Sequence, residues 1–293
     1  EAVAEAAAAT LVIYAIVSRL WRDPLGLCPR PQSIFAKKKG QSRMSRSLLP
    51  WPERTDRIVL DVVDSTMAEA ARRASSLDRP TWIMARHQTA GRGRRGKIWA
   101  SPTGNFAATY VMKPGGNPGT AALRSFSAAN ALFEALALKI DRDKLSLKWP
   151  NDVLLNGGKV AGILLESTGR GGVIDWLSVG IGVNLKTVPT DIGRTDFPAV
   201  SLEGEGGEAT DQDEFLSLLA SNFATEERLF QEFGFAHIRE KWLRNAARLG
   251  EVITARTARG EVTGTFDTVD ASGHLVLETA TGRVTIPAAD VYF

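Results

Sequence analysis

The segment 91–97 combines four cationic side chains with three glycines in seven residues. Glycine lets the backbone bend closely around a ligand, and arginine can hold a carboxylate or a phosphate through two parallel hydrogen bonds. The segment therefore predicts a flexible loop that grips an anion. From these residues alone, that anion can be a small phosphate-bearing intermediate or a nucleic acid.

A second group of reactive residues begins at Lys148, which is followed by Trp-Pro and then by Asn151 and Asp152. A lysine on a strand, beside a rigid Trp-Pro pair and two polar side chains, is hard to explain by packing alone. The alternative is a lysine in an ordinary turn, with Trp149 packed in the core. Downstream, Gly162 within a strand pattern indicates that a ligand or another backbone approaches closely.

The composition excludes several other kinds of site. One cysteine and three histidines among 293 residues predict neither a disulfide framework nor a metal site built from cysteine or histidine. Any metal is expected to be a hard cation such as Mg²⁺, held mostly by substrate phosphate. The net charge of +3 comes from residues 1–43; residues 44–293 carry 29 basic and 30 acidic groups, which is weak support for a polyanionic partner.

The first 43 residues differ from the rest of the chain. Their apolar run, 6–17, is shorter than the ~20 residues that span a bilayer, and acidic Glu1 and Glu5 precede it where a secretory signal has positive charges. We predict that residues 1–56 are an extension outside the native fold, or partly an artefact of where the reading frame was opened. A membrane-associating helix with a basic linker stays an alternative for residues 1–43.

From residue 57 onward, the pattern mixes strands with helices and predicts an α+β fold, a mixed β-sheet flanked by helices. Thr66 and Glu69 have the spacing of a capping box, which places Ser65 and Thr66 at a helix start, where free N–H groups can receive ligand atoms. The predicted strands are 58–63, 82–86, 106–112, 145–155, 160–166 and 176–183; the predicted helices are 66–75, 121–140, 213–232 and 235–247.

The end of the chain changes character. Short β-type segments at 252–256, 262–269, 275–279 and 284–287 alternate with glycine-containing turns. This pattern predicts a small antiparallel, barrel-like module that needs support from the larger domain. The predicted organisation is therefore a domain at 57–247 and a second at 248–293.

Five motifs, in their order and spacing, resemble those of the biotin–protein ligase family. The resemblance is strong over residues 61–185 and weak in the C-terminal module. It implies a catalytic domain like that of class II aminoacyl-tRNA synthetases and biotin–lipoate ligases, followed by an SH3-like β-barrel. The motifs are Gln88-Thr-Ala-Gly-Arg-Gly-Arg-Arg-Gly-Lys-Ile-Trp99, Ser101-Pro102 with Gly104-Asn105, Lys148-Trp-Pro-Asn-Asp152, Gly158-Lys-Val-Ala-Gly-Ile-Leu164 and Gly180-Ile-Gly-Val-Asn-Leu185.

The resemblance implies an enzyme that joins biotin to ATP, with Mg²⁺ on the nucleotide, and releases pyrophosphate. The biotinyl-5′-adenylate then donates its biotinyl group to one lysine of a biotin carboxyl carrier protein. We expect a cytoplasmic monomer or homodimer without a membrane segment. Some relatives bind DNA through an N-terminal winged helix of about 60 residues, which residues 44–57 cannot hold, so we expect no DNA binding.

The resemblance also implies roles for individual residues. Lys148 and Arg94 are the predicted catalytic residues. Met67 stands where the family usually has asparagine, which weakens a polar side-chain role there and leaves its backbone to line the pocket. The predicted biotin site comprises Ser65, Thr66, Met67, Gln88, Gly91, Arg92, Gly93, Arg94, Lys148 and Gly162. The predicted ATP and adenylate site comprises Arg94, Arg95, Gly96, Trp99, Asn151, Lys159 and Asn184.

Simpler interpretations stay open for several of these residues. Ser65 and Thr66 can be ordinary helix caps, Trp99 can fill the core, and Lys159 can be a solvated hairpin lysine. A lipoate or octanoate ligase, which shares the adenylate strategy, would need a long apolar channel in place of polar groups for a ureido ring. An RNA-binding protein would use the arginine loop with stacking aromatic rings, but it leaves segment 148–152 unexplained.

Overall fold

The computed structural model describes residues 49–189, 197–287 and 289–292. Residues 1–48 of the predicted N-terminal extension lie outside the described residues. A seven-stranded sheet comprises β1 (Asp56–Val63), β2 (Thr81–Gln88), β3 (Phe106–Met112), β4 (Leu145–Lys148), β5 (Asp152–Leu155), β6 (Gly158–Arg170) and β7 (Val173–Val183). The α-helices are α1 (Thr66–Arg73), α2 (Pro118–Ala122), α3 (Arg124–Ala137) and α4 (Gln212–Arg244).

The large sheet has the strand order β1-β2-β3-β7-β6-β5-β4. Strands β1 and β2 are parallel and the other neighbours are antiparallel, so the predicted mixed sheet flanked by helices is confirmed. Every residue of β3 is buried, as expected for a strand with a packed layer on each face. Helix α1 packs against the centre of this sheet, while α3 and α4 pack against each other and share its main core.

Helices α3 and α4 are held together by aromatic packing and by buried charge. Phe126 of α3 packs edge-on against Trp242 of α4, with ring centroids 5.3 Å apart. The buried Arg124 and Glu227 side chains form an ion pair at 2.8 Å between the two helices. Gly234 interrupts α4 with a φ of 71°, which matches the predicted division into two helices.

The prediction of one strand over 145–155 is wrong. A turn that contains the cis Trp149–Pro150 bond reverses the chain, and Lys148 then pairs with Asp152 in an antiparallel hairpin. Proline has no N–H group to donate to a strand ladder, which explains why the strand stops there. The predicted helix 121–140 is likewise divided, because α2 ends at Ala122 and α3 begins at Arg124. The hairpin brings the lysine and the aspartate of one motif face to face.

The C-terminal strands are β8 (Val252–Thr257), β9 (Gly260–Val269), β10 (Leu275–Thr279), β11 (Gly282–Ile286) and β12 (Asp290–Tyr292). They form an antiparallel sheet in the order β11-β10-β9-β8-β12. Pairing among the described residues does not join β11 to β12, so the predicted barrel is seen as a five-stranded sheet. The sequence pattern did not predict β12.

The C-terminal sheet is attached to the strand that carries Lys148. The linker before the sheet runs beside β4, where the Leu147 N–H donates to Asn245 O at 2.7 Å and the Ala247 N–H donates to Leu147 O at 2.8 Å. On the other side of Lys148, the Trp149 indole N–H donates to Gly273 O at 3.0 Å. Both chain neighbours of Lys148 therefore hold the C-terminal module.

No helix in the described ranges is long and apolar enough to cross a membrane.

Candidate active site

We name residues 91–97 the glycine–arginine loop. A cavity of about 720 Å³ lies between this loop, the start of α1 and the strands β6 and β7. Strand β12 closes one side of it. Every predicted site residue except Gly91 lines this cavity. Those residues are Ser65, Thr66, Met67, Gln88, Arg92, Gly93, Arg94, Arg95, Gly96, Trp99, Lys148, Asn151, Lys159, Gly162 and Asn184.

The glycine–arginine loop is a tight hairpin. Arg92 and Ile98 form an antiparallel bridge, and the Gly93 N–H donates to Lys97 O at 2.7 Å. At the tip, Arg95 and Gly96 have φ angles of 54° and 73°, both in the left-handed region that glycine adopts readily and other residues rarely adopt. The loop thus presents its cations from a defined backbone.

Gly91 lies behind the loop and outside the cavity lining. Its carbonyl accepts the Trp99 N–H at 2.9 Å. A Cβ atom at Gly91 would lie 2.3 Å from Trp99 O, so only glycine lets the two ends of the hairpin approach this closely. The structure gives Gly91 a role in shaping the loop, while direct contact with biotin stays a prediction.

The loop cations have different surroundings. Arg94 is half-buried and donates to Asn151 Oδ1 at 2.9 Å. Arg95 forms an ion pair with Asp290 of β12. Arg92 and Lys97 are exposed at the mouth of the cavity. Burial lowers the pKa of Arg94, which is the effect expected for a cation held away from water.

The start of α1 places two hydroxyl groups in the cavity. Ser65 is the N-cap, and its Oγ accepts the Met67 N–H at 3.2 Å. The predicted capping box between Thr66 and Glu69 is wrong, because the Glu69 carboxylate turns away to Arg72 and Arg73. Capping by Ser65 leaves the Thr66 hydroxyl available for other contacts.

Thr66 is tied to Gln88 instead. Its backbone N–H and its hydroxyl both donate to Gln88 Oε1, at 2.8 and 3.1 Å, and the Thr109 hydroxyl donates to Thr66 Oγ1 at 2.9 Å. The Gln88 amide nitrogen donates to Ser101 Oγ at 3.0 Å. These buried bonds make a rigid polar wall at one end of the cavity.

Lys148 lies deep in the cavity with 6% of its surface exposed. Its ammonium is 3.7 Å from Asp152 Oδ2, while the Lys159 ammonium lies 2.7 Å from Asp152 Oδ1. Burial lowers the pKa of Lys148, and the nearby Asp152 opposes that effect. One carboxylate thus lies between two lysines that project into the same cavity.

Glycines form the floor of the cavity. A Cβ atom at Gly182 would lie 2.3 Å from Trp99 Cε2, and one at Gly180 would lie 2.6 Å from Met67 Sδ. At Gly162 the distance to Trp99 Cζ3 would be 3.3 Å. The Trp99 indole and the Met67 side chain therefore lie flat on strands β6 and β7.

Asn184 supports the wall of the cavity. Its side-chain N–H donates to Val200 O at 3.0 Å, and its backbone carbonyl accepts the Leu202 N–H at 2.8 Å. These bonds hold residues 198–202, which we name the strap, beside the end of β7. The side chain lines the cavity, but its amide nitrogen is already bonded within the protein.

Sequence reasoning missed several lining residues. Asp152 and the glycines Gly180 and Gly182 lay in motifs, but no role was assigned to them. The alternation of glycines in β7 could have indicated that another group packs closely on that strand. Nothing in the sequence indicated that Phe197 and Asp290 line the cavity, because the pattern did not predict where their segments lie in the fold.

The biotin/lipoate A/B protein ligase family matches residues 59–184 of this chain, and the biotin protein ligase C-terminal domain matches residues 249–293. The biotin–[acetyl-CoA-carboxylase] ligase of Paracoccus denitrificans is 52% identical over 234 residues, which cover 78% of this chain and 97% of that protein. The chain belongs to the biotin–protein ligase family. The matched regions fall within the two predicted domains, whose boundaries stay a prediction.

Two further proteins are similar to this chain, one in sequence and one in structure. The bifunctional ligase/repressor BirA of Bacillus subtilis is 31% identical over 243 residues, 79% of this chain and 72% of that protein. The biotin protein ligase of Aquifex aeolicus in complex with biotin and ATP superposes with a TM-score of 0.68 at 27% identity, covering 80% of this chain and 98% of that one.

Proposed function

We propose that this biotin–protein ligase joins biotin to ATP in the cavity and passes the biotinyl group to a lysine of a biotin carboxyl carrier protein. The observation that carries the proposal is the convergence of Lys148, Lys159 and Arg94 on one cavity of a chain that belongs to this family. The Paracoccus relative is a biotin–[acetyl-CoA-carboxylase] ligase, which supports the choice of a carrier domain as the partner.

The first step brings two anions together. A biotin carboxylate oxygen bonds to the α-phosphorus of ATP, and the bond from that phosphorus to the pyrophosphate oxygen breaks. Lys148 and Arg94 offset the repulsion and stabilise the charge that develops in the transition state. Because Lys148 is buried and Arg94 is half-buried, their charge acts with less screening than it would in bulk water.

The biotin ring fits the polar end of the cavity. We assign the ureido group to the wall formed by Ser65, Thr66 and Gln88. The bonds described above do not use the Ser65 hydroxyl hydrogen or the second N–H of the Gln88 amide, which can donate to the ureido oxygen, while the hydroxyl oxygens can accept from its N–H groups. Met67, which lies on Gly180, supplies an apolar surface for the remainder of the ring system. In this arrangement the carboxylate end of biotin points towards Lys148.

The nucleotide fits the other end. We assign the adenine to Trp99, a flat aromatic surface beside Lys159, whose ammonium lies 5.7 Å from the ring centroid. Arg95, Gly96 and Asn151 line the same region. Asn184 lines this region as well, and one N–H of its amide holds the strap; its contact with the nucleotide stays a prediction.

The donor set suits a Mg²⁺ ion that arrives with the nucleotide. Among the described residues there is no group of three or more His, Cys, Asp or Glu side chains that could hold a metal ion. The two carboxylates that line the cavity, Asp152 and Asp290, each form an ion pair with a cation of the protein. Phosphate oxygens would therefore hold the ion, which would offset the charge of the triphosphate.

In the second step, the carrier lysine amine attacks the carbonyl carbon of the biotinyl-adenylate and AMP leaves. The mixed anhydride is already activated, so positioning of the amine can suffice without a dedicated acid–base pair. The loop hairpin covers the intermediate and limits its hydrolysis. A monomeric or homodimeric state, a cytoplasmic location and the absence of DNA binding stay predictions.

Lipoate or octanoate ligation is the alternative activity. A long acyl chain requires a narrow apolar channel, whereas this cavity has a hydrogen-bonded wall of Ser65, Thr66 and Gln88 at one end. A buried polar wall that finds no partner in the ligand costs binding free energy. The wall therefore favours biotin.

The test is incubation of the purified chain with ATP, Mg²⁺, biotin and a biotin carboxyl carrier domain. We expect pyrophosphate release and a carrier that gains the mass of one biotinyl group at one lysine. Parallel reactions with lipoate and octanoate should leave the carrier unmodified. Absence of product with biotin, or equal product with lipoate, would overturn the proposal.

A further inference from the structure

The ammonium of Lys148 lies against an aromatic ring. Its Nζ is 4.5 Å from the centroid of the Phe197 ring, within the range of a cation–π contact. Both side chains line the cavity. No motif contains Phe197, and the roles assigned above do not use it.

The strap fixes the position of this ring. The Lys159 N–H donates to Pro198 O at 2.8 Å, the Val200 N–H donates to Lys159 O at 3.1 Å, and the Asn184 amide bonds to Val200 O. These bonds begin at the residue directly after Phe197. They tie the chain to β6 and leave the ring directed at Lys148.

Lys148 shares its nearest carboxylate with Lys159. Asp152 is 3.7 Å away and lies closer to Lys159, while Lys159 and Arg94 both lie near enough to repel the Lys148 ammonium and Asp290 lies near enough to attract it. A tight ion pair would compete with the anions of the substrates for this ammonium. A ring face stabilises the positive charge without neutralising it.

We propose that Phe197 is a positioning residue that keeps Lys148 protonated and directed into the cavity until the substrate anions arrive. This inference rests on the proposed function. The ring contact favours the charged form of a lysine that burial disfavours. Because the contact is weak and displaceable, the ammonium can leave the ring for the carboxylate and the α-phosphate.

The test is the pH dependence of biotinyl-adenylate formation in Phe197→Leu and Phe197→Tyr variants. Leucine keeps the apolar cover but removes the ring, so the pKa of Lys148 should fall. The alkaline loss of activity should then begin about 0.5 to 1 pH unit lower than in the unaltered protein. Tyrosine keeps the ring face and should leave the profile in place.

A second measurement reads Lys148 directly. Trace labelling of lysines with an amine-reactive anhydride across pH, followed by peptide mass spectrometry, gives the pKa of Lys148 even in a variant with little activity. Phe233→Leu is the matched control, since this ring is largely exposed and lies outside the cavity lining. It should change neither readout.

The outcomes separate this inference from the proposed function. If the unaltered protein forms biotinyl-adenylate but Phe197→Leu leaves both the alkaline limb and the labelling pKa unchanged, the role of Phe197 is wrong and the function stands. If the unaltered protein forms no adenylate while labelling still shifts in Phe197→Leu, the contact is real and the proposed function is wrong.

Discussion

Arg95 of the glycine–arginine loop forms an ion pair with Asp290 of β12, although 195 positions separate the two residues in sequence. The pair joins the loop over the cavity to the C-terminal module. Asp290 also lies near enough to Arg94 and Lys148 to favour their charged forms. The C-terminal sheet is therefore part of the electrostatic setting of the cavity.

The Arg95–Asp290 pair should anchor the closed loop. We expect Asp290→Asn to raise the KM for ATP roughly fivefold, equivalent to about 1 kcal/mol, because the loop loses its fixed partner. Both side chains are partly exposed, so the free energy of unfolding should change little. Glu261→Gln, which removes the Arg256–Glu261 pair within the same sheet, is the matched control. Equal KM values for the two variants would contradict the anchoring role.

The Trp149 indole should couple the C-terminal module to Lys148. Trp149→Phe keeps a buried ring but removes the N–H that donates to Gly273 O, so the free energy of unfolding should fall by about 1 kcal/mol. The adenylation rate should fall as well, because the turn next to Lys148 loses its support. Thermal unfolding and single-turnover kinetics measure the two effects.

The control for Trp149 is Trp51→Phe, which removes a similar bond to Thr55 O outside the cavity. It should affect stability alone. A Trp149→Phe variant that is destabilised but fully active would show that the bond has only a structural role.

Gly182 should be irreplaceable because of the Trp99 indole. We expect Gly182→Ala to raise the KM for ATP at least tenfold, since the added methyl group would displace the ring from the floor. Combining it with Trp99→Ala should cost less than the two single effects together, because the clash is gone. Gly119→Ala in α2, where the nearest atom lies 3.2 Å from the added carbon, is the control. Strict additivity in ATP binding assays would contradict the predicted clash.

The sequence predicted the site better than it predicted the local chain path. Compact motifs contain Lys148, Arg94 and Trp99. The spacing within such a motif can be read correctly even where the boundaries of the neighbouring strands are predicted wrongly. The turn at Trp149–Pro150 was missed because the β-type segments on either side were read as one strand, although Pro150 and Asn151 between them are typical turn residues. The motif nevertheless contributed to a correct identification of the family.

Other parts of the site depend on long-range packing that no local pattern contains. Asp290 reaches the cavity only because the linker pairs with Leu147 and positions the second sheet. Phe197 reaches it only because the strap pairs with Lys159. Gly91 was assigned to the ligand because it lies in the motif, whereas its contacts show that the backbone of Trp99 requires it.

The measurement that tests the central claim most directly is a single turnover with excess enzyme, biotin and ATP, without carrier protein. We predict biotin-dependent release of one pyrophosphate per ATP consumed, with biotinyl-adenylate as the other product. Lys148→Met should slow this step by about 100-fold or more, while Lys113→Met, which removes a lysine lying over Trp176 outside the cavity, should not. Pyrophosphate release that does not require biotin, or a Lys148→Met variant as fast as the unaltered chain, would contradict the account.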